Sequence, residues 1–362
     1  MPQGPSQPDG SSPGASRSAA ERLSLADIRN QFRTLAIAER FFDSAVLFAL
    51  YELGVFELLA GGPLDLPELT RRTGGNRDTL EAVLDAAVAL GILSRSDGRY
   101  GADEALIECL GRGDSSAYMG EWVAFLHSLA GPLLALDDAV RTGRPPGALF
   151  EQMSGDSLPA RRMTRAMDAY ARTRGVELVD RLDLSDLETL LDLGCGPGTY
   201  SLAVLERYPR VRATLLDLEL PIAEARRMVE ARGLGDRAEL VVADALDYRS
   251  DTPFDAVLIS NTLHTLGPQR SRRLLRRCRD LVRPGGRLIV QAQFLNDDRI
   301  SPRWPTLLSM IQRVTTPEGR NHSLGETVAW IEEAGFGDVE HVRFSAWNTN
   351  SALVARRPSE TS

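Results

Sequence analysis

Residues 190–200 read LLDLGCGPGTY, from Leu190 to Tyr200. An apolar run ends in Asp192 and passes at once into Gly194, Gly196 and Gly198 before a helical pattern begins. This is how a buried parallel strand turns into a helix beside a ligand crevice. Gly194 and Gly196 let a ligand approach the main chain, and Gly198 lets the following helix sit close to the strand. Taken alone, such a loop suits NAD, FAD or S-adenosylmethionine (SAM), or a tight turn with no ligand.

Toward the C-terminus, strands are expected at Thr189–Leu193, Ala213–Asp217, Glu239–Asp244, Phe254–Ser260 and Arg287–Phe294. Two more, Val339–Ala346 and Ser351–Arg356, are separated only by residues 347–350 and are read as a hairpin. Helices are expected to start near Thr199, Pro221, Pro268 and Ser323. Strands alternating with helices at this spacing give an α/β fold with a doubly wound, mostly parallel, Rossmann-like sheet. In the third of these helices Leu274, Leu275, Cys278 and Leu281 form the buried stripe, which leaves the arginines from Arg270 to Arg279 on a solvated face.

Ligands in such sheets lie outside the carboxyl ends of the strands. The sequence puts an acid at the first three of those ends: Asp192, Asp217 and Asp244. Asp217 lies 19 residues past Gly198, the spacing at which a carboxylate accepts hydrogen bonds from ribose hydroxyls. Asp244 and Ala245 close the third strand, where an adenine ring fits. A pyrophosphate is repelled by this acidic rim, whereas SAM brings an ammonium and a sulfonium. The charge pattern therefore favours SAM.

Toward the N-terminus, Met163, Met167 and Tyr170 share one face of a helix read from Pro159 to Leu182. Before it, Tyr118–Val140 reads as one helical stretch carrying Trp122 and Phe125, broken by residues 143–147. These apolar residues precede the glycine loop closely enough to roof its crevice, so pocket lining is expected of Trp122, Phe125, Met163, Met167 and Tyr170. The segment 294–313 adds Trp304, Leu308 and Met310. His127 is read as a satisfied buried or interfacial histidine.

Further upstream, Leu66–Arg72, a helix over Asp78–Leu90 capped by Asn76, and a two-stranded hairpin around Asp97-Gly98 follow a winged-helix plan. Its candidate recognition helix carries Asp78, Glu81 and Asp85 against the single base Arg77, an acidic face that phosphates repel. The module is read as a dimerisation device, with no nucleic acid as partner. Residues from Met1 to about Ala20 are rich in Pro, Gly and Ser and are expected to form a tail outside the fold.

Composition bounds the rest. A 362-residue chain suits two domains. All 42 of its Lys and Arg residues are arginine, so Schiff-base and P-loop lysine chemistry is excluded. Cys109, Cys195 and Cys278 have no C-x-x-C spacing, and no apolar leader is read at the start, so a reducing, cytoplasmic setting is expected. The most apolar segment, Ser44–Ala60, is interrupted by Glu52 and Glu57, and no membrane partner is expected.

From about residue 25 to 356 the chain resembles the class I SAM-dependent O-methyltransferases of the dimeric caffeic-acid type and their bacterial natural-product relatives. The resemblance rests on LLDLGCGPGTY at 190–200, LLDLELP at 215–221, VVADAL at 241–246, ISNTLHTLGPQ at 259–269, RPGGRLIV at 283–290, and the closing TPEGRNHSLGE and EEAGF. It implies a homodimer whose cofactor positions include Gly194, Asp217, Asp244, Ala245 and Ser260, joined by Asp192, Cys195, Gly196, Gly198, Leu218 and Asn261 around them. It also implies His264 as the catalytic base. The organisation then expected is a tail over 1–23, a winged-helix dimerisation domain over 24–112, a helical connector lining the substrate pocket over 113–182, the SAM-binding domain over 183–357 and a tail over 358–362.

The family's usual His-Asp-Trp is here His264-Thr265-Leu266, and Gln291, Ala292, Gln293 and Asn321 stand in the regions of its orienting acids. A weaker base or a more acidic acceptor hydroxyl follows. The reading is O-methylation of a phenolic or enolic hydroxyl on a small aromatic natural product, with no metal. One alternative is C-methylation of an α-keto acid or related carbon acid with a metal on His264 and His322, although Thr265 stands where a carboxylate ligand is needed. Another is a SAM-binding pseudoenzyme or a winged-helix regulator.

Overall fold

The computed structural model describes residues 24–113, 115–144 and 158–359. The expected tail over 1–23, residues 145–147 of the break and the side chain of Pro159 lie outside the described residues. The chain divides after Leu47 into two units. The first holds α1 (Leu25–Ala38) and the start of α2 (Arg40–Glu52). Ser24 and Asp27 close a reciprocal capping box at the start of α1. No residue of α1 is buried, and Leu25, Phe32 and Leu35 are more than half exposed.

The second unit continues α2 and adds α3 (Val55–Leu59), β1 (Leu64–Asp65), α4 (Leu66–Thr73), α5 (Arg77–Ala89), β2 (Ser94–Ser96), β3 (Arg99–Gly101) and α6 (Glu104–Leu110). Asn76 caps α5 by accepting the Thr79 amide, and Leu80, Leu84 and Ala87 face inward. Asp97 and Gly98 both take the left-handed backbone that a tight hairpin requires. The wing is wider than the two strands expected: β1 pairs with β3 to give the order β1-β3-β2. A two-residue strand carries no periodicity to read. Asp85 receives the Arg95 guanidinium at 2.9 Å and the Tyr100 hydroxyl at 2.7 Å, so an acid of the supposed recognition helix holds the wing in place.

The stretch expected as one helix over Tyr118–Val140 is two, α7 (Gly120–Leu134) and α8 (Leu136–Thr142), bent by 56°. Pro132 removes an N–H inside α7, and Ala135 leaves the helical region to make the corner. Among the described residues no single helix is long and apolar enough to cross a membrane. The long α9 (Leu158–Arg181) then leads to the sheet.

Seven strands follow: β4 (Thr189–Leu193), β5 (Arg212–Asp217), β6 (Ala238–Val242), β7 (Phe254–Ser260), β8 (Val282–Ala292), β9 (Gly337–Arg343) and β10 (Ser351–Arg356). Their order is β6-β5-β4-β7-β8-β10-β9. The first five run parallel, and β10 inserts antiparallel between β8 and β9, forming the expected hairpin with β9. Several boundaries differ from expectation: β5 and β6 each start one residue earlier, β8 ends at Ala292 rather than Phe294, and β9 spans Gly337–Arg343 rather than Val339–Ala346. β6 ends at Val242, before Asp244, and β8 starts at Val282 because Gly286 allows it to approach the Asp255 carbonyl, where a Cβ would lie at 2.7 Å.

The intervening helices are α10 (Thr199–Arg207), α11 (Glu219–Ala231), α12 (Pro268–Leu281), α13 (Arg303–Thr315) and α14 (Leu324–Glu333). One sheet face buries Leu190, Ala213 and Leu215 against Leu202, Leu205, Ile222 and Ala225 of α10 and α11. The other buries Leu191, Leu193, Val257 and Val290 against Leu274, Cys278, Trp330 and Ile331 of α12 and α14. The arginines of α12 lie on its outer face as expected, with Arg270, Arg272, Arg273 and Arg276 exposed; Arg272 pairs with Glu333, Arg273 with Asp247, and Arg277 and Arg279 donate to the Tyr248 and Gly335 carbonyls. Chain direction away from the centre reverses between β4 and β7, which opens a crevice at their carboxyl ends.

Candidate functional site

The glycine loop leaves β4 into that crevice. The N–H groups of Gly194 and Cys195 donate to the Leu216 carbonyl at 2.8 and 3.1 Å, which ties the loop to β5. Gly198 caps α10 with φ +81°, and a Cβ there would lie 2.6 Å from Leu215 Cδ2, so both backbone and packing demand glycine. Gly196 faces open space, with nothing within 4 Å of where its Cβ would be. Its N–H donates to Asp217 Oδ2 at 2.7 Å, and the Leu218 N–H donates to Asp217 Oδ1 at 2.7 Å. Cys195 is buried and turns its thiol to the Gly196 carbonyl.

The three acids do not form the uniform open rim that their spacing suggests. Strand alternation turns Asp192 toward α10, where it is 1% exposed and accepts the Ser201 hydroxyl at 2.6 Å. Burial pushes its pKa up to about 7, helped by the nearby Asp217 charge. Asp217 is also shifted upward by burial, against the pull of its two backbone donors. Asp244 lies two residues beyond β6, is exposed, and accepts the Leu246 amide at 2.8 Å, while Ala245 packs against the core beneath. Leu218 is exposed.

Across the crevice, β7 ends in Ser260 and the chain turns at Asn261, whose φ is +52°. The Asn261 N–H donates to the Gln291 carbonyl at 2.9 Å and its side-chain amide to the Tyr200 hydroxyl at 3.3 Å. The Thr262 hydroxyl sits among the carbonyls of Leu193, Gly194 and Ser260 and fills the place of a Gly194 Cβ, which would lie 2.6 Å away. His264 follows on a short 3₁₀ turn, Leu263–Thr265. Its Nδ1 is buried and has no hydrogen-bond partner among the described residues. Burial, with a smaller push from His322, lowers its pKa to about 4, so the imidazole is neutral at pH 7.

The residues standing for the orienting acids are amides. Asn321 donates to the carbonyls of Gln293 and Pro305, at 3.0 and 2.9 Å, and its Oδ1 is unpartnered. Gln291 is fully buried, with its side chain beside the Tyr200 hydroxyl. His322 is held by its own contacts: Nε2 lies 3.1 Å from the Leu263 carbonyl and 3.2 Å from the Ser271 hydroxyl, with Trp330 edge-on to the ring. Among the described residues no group of three or more His, Cys, Asp or Glu is spaced to hold a metal. His127 is half exposed rather than buried, stacked on Phe48 and 3.2 Å from Glu52.

Of the expected pocket residues, Trp122, Phe125, Met163 and Met167 gather in one apolar cluster with Leu129 and Ala166. Tyr170 joins through Trp122, ring to ring at 4.7 Å. From α13 it is Ile311, and not Trp304 or Met310, that packs against the cluster; Leu308 is buried on the same helix. Two polar contacts escaped the reading of the sequence. Asp168 is buried and accepts the Thr199 hydroxyl at 2.8 Å, tying α9 to the first residue of α10; its i,i+4 partner Arg172 was the available signal. Gln293 donates to the Tyr170 hydroxyl at 2.8 Å and accepts from Thr349, a contact between distant segments that no local pattern shows.

Unpartnered polar atoms of Asn261 and His264 thus lie on the turn after β7, across from a loop whose middle glycine faces open space. Buried polar groups are ordinarily paired, so a concentration of unpaired ones fits a polar ligand. A cationic sulfonium cofactor suits the acceptors of this set. The sheet order and the glycine loop are those of a doubly wound fold that binds a small-molecule cofactor at its switch point. The O-methyltransferase domain model matches residues 134–337 and the O-methyltransferase dimerisation domain model residues 35–105. The chain belongs to the O-methyltransferase family: it is a methyltransferase, and its cofactor is SAM.

Two relatives are similar over most of their length. The tetracenomycin polyketide synthesis 8-O-methyl transferase of Streptomyces glaucescens is 30% identical over 337 residues, 91% of this chain and 98% of the relative. The 3-hydroxy-5-methyl-1-naphthoate 3-O-methyltransferase of Streptomyces sahachiroi is 28% identical over 322 residues, 88% of this chain and 93% of the relative. The same fold is seen in human N-acetylserotonin methyltransferase, solved in complex with SAM, with a TM-score of 0.80 at 24% identity over 94% of this chain and 100% of the other.

Proposed function

We propose that the protein methylates a phenolic or enolic hydroxyl of a small aromatic natural product, with His264 receiving the hydroxyl proton. The observation that carries this reading is the neutral imidazole on the turn after β7, with its Nδ1 bare, one strand from the glycine loop. The relatives' aromatic acceptors support it. When bound, SAM supplies a methyl already activated on sulfonium. The work left to this chain is to hold a hydroxyl in line and take its proton. An imidazole of pKa about 4 is a weak acceptor for a phenol proton of pKa about 10, so the proton moves as the oxygen reacts. Hydroxyls acidified by a conjugated carbonyl are the favoured acceptors.

Residues Asp192, Gly194, Cys195, Gly196, Gly198, Asp217, Leu218, Asp244, Ala245, Ser260 and Asn261 form the cofactor side in this reading. The acceptor lies against Trp122, Phe125, Met163, Met167 and Tyr170, with Leu308 and Ile311 of α13 on the far wall. Residues 24–112 serve dimerisation, 113–182 the pocket and 183–357 the cofactor. A homodimer is supported by the apolar side chains left in solvent on α1 and α2, among them Phe32, Phe41 and Phe42. The test is His264→Ala with labelled SAM and a panel of hydroxylated aromatics. Turnover should fall about 10²–10⁴-fold while SAM affinity stays within about threefold; undiminished turnover refutes the base.

A further inference from the structure

We propose that Arg174 is the carboxylate receptor of the crevice, pairing with a carboxylate of a bound small molecule, either the methionine end of SAM or an acid group on the acceptor. This rests on the reading of the crevice given above. Arg174 projects from α9, and its guanidinium lies 3.5 Å from the Tyr170 ring centroid and 5.8 Å from that of Trp347. One terminal nitrogen donates to the Tyr170 carbonyl at 2.5 Å. Nε is buried and has no hydrogen-bond partner, and no carboxylate lies within ion-pair distance of Arg174 among the described residues.

Its neighbour in the next-but-one position behaves differently. Arg172 is neutralised by buried Asp168 at 2.7 Å. Glu177, one turn on from Arg174, spends both oxygens on Asn348 and the Ser345 amide. A partly buried cation costs free energy unless it is paired, and stacking on two aromatic rings offsets only part of that. Stacking also fixes the planar fork, the arrangement suited to a planar anion.

Arg174 lies between the glycine-loop helix and the apolar cluster. Its charge reaches the hydroxyl of Tyr200 in the glycine-loop helix, where it opposes the upward shift caused by burial. Tyr200 is in turn bonded to Asn261, and Tyr170 beneath the guanidinium stacks on Trp122 of the acceptor cluster. The acids described in the crevice serve cations and hydroxyls, and the chain has no lysine to meet an anion.

Equilibrium binding separates the two sources and does not depend on turnover. Affinities are measured by calorimetry for SAM against decarboxylated SAM, and for para-hydroxybenzoate against phenol, on the wild-type chain and on Arg174→Met. One charge-assisted pair is expected to give a ten- to hundredfold preference for the carboxylated member of one couple, lost in Arg174→Met and largely kept in Arg174→Lys. Loss in the SAM couple assigns the methionine carboxylate, and loss in the phenol couple assigns the acceptor. A wild-type chain that binds both members of each couple equally overturns the proposal even if Arg174→Met does not fold. A preference that survives in a folded Arg174→Met overturns it too. Failure of methyl transfer in the labelling assay, with these preferences intact, would instead count against the O-methylation reading.

Discussion

Replacing Asp192 with Asn should change how the stability of the cofactor-free protein depends on pH. The carboxyl is 1% exposed, its pKa is raised from 3.8 to about 7, and its one hydrogen bond, from Ser201, is also available to the asparagine oxygen. Because the folded chain holds this proton more tightly than the unfolded one, Asp192 contributes stability that is whole below pH 4 and is lost as pH rises toward 7. At about 1.4 kcal/mol for each pH unit, the whole range corresponds to about 4 kcal/mol, of which about 3 kcal/mol falls between pH 5 and 8. Urea melts of the wild type and Asp192→Asn at pH 5, 6, 7 and 8 measure it. Relative to the variant, the wild type should lose about 3 kcal/mol across that series and level off near pH 8. A constant difference, or one that favours the wild type as pH rises, would falsify the account of Asp192 as a carboxylic acid held near neutrality by burial.

Two further substitutions address the loop. Gly198→Ala puts an L-residue at φ +81° and a Cβ 2.6 Å from Leu215 Cδ2, and should cost about 2–5 kcal/mol in urea unfolding; a loss below about 1 kcal/mol means that the packing relaxes freely. Asp217→Ala removes the acceptor shared by the Gly196 and Leu218 amides and should weaken SAM binding at least tenfold by calorimetry, and an unchanged affinity removes Asp217 from the cofactor site.

Much of the sheet was legible because its strands are short apolar runs punctuated by glycine and proline, and periodicity is a local property of the chain. The loop was legible for a similar reason: Gly194 and Gly198 answer demands of backbone and close packing that leave one residue type. Less legible was whatever depends on a neighbour far away in sequence. The wing strand Leu64–Asp65 exists only because Tyr100 and Arg99 pair with it. Ile311, and not Met310, packs on the apolar cluster of α7 and α9 because a helix's inward face is set by what it docks on.

Sequence alone determined the α/β class, the position of the glycine loop, the acids at or near three strand ends and the histidine after the fourth parallel strand, since each follows from residue type and spacing. Tertiary structure decided the electrical character of those same groups. Asp192 is near neutral because alternation buries it against α10, His264 is a weak base because it is enclosed without an acid, and Arg174 keeps a free charge because the carboxylates around it are already engaged. Charge depends on desolvation and on partners brought from distant parts of the chain, and only the folded arrangement supplies both.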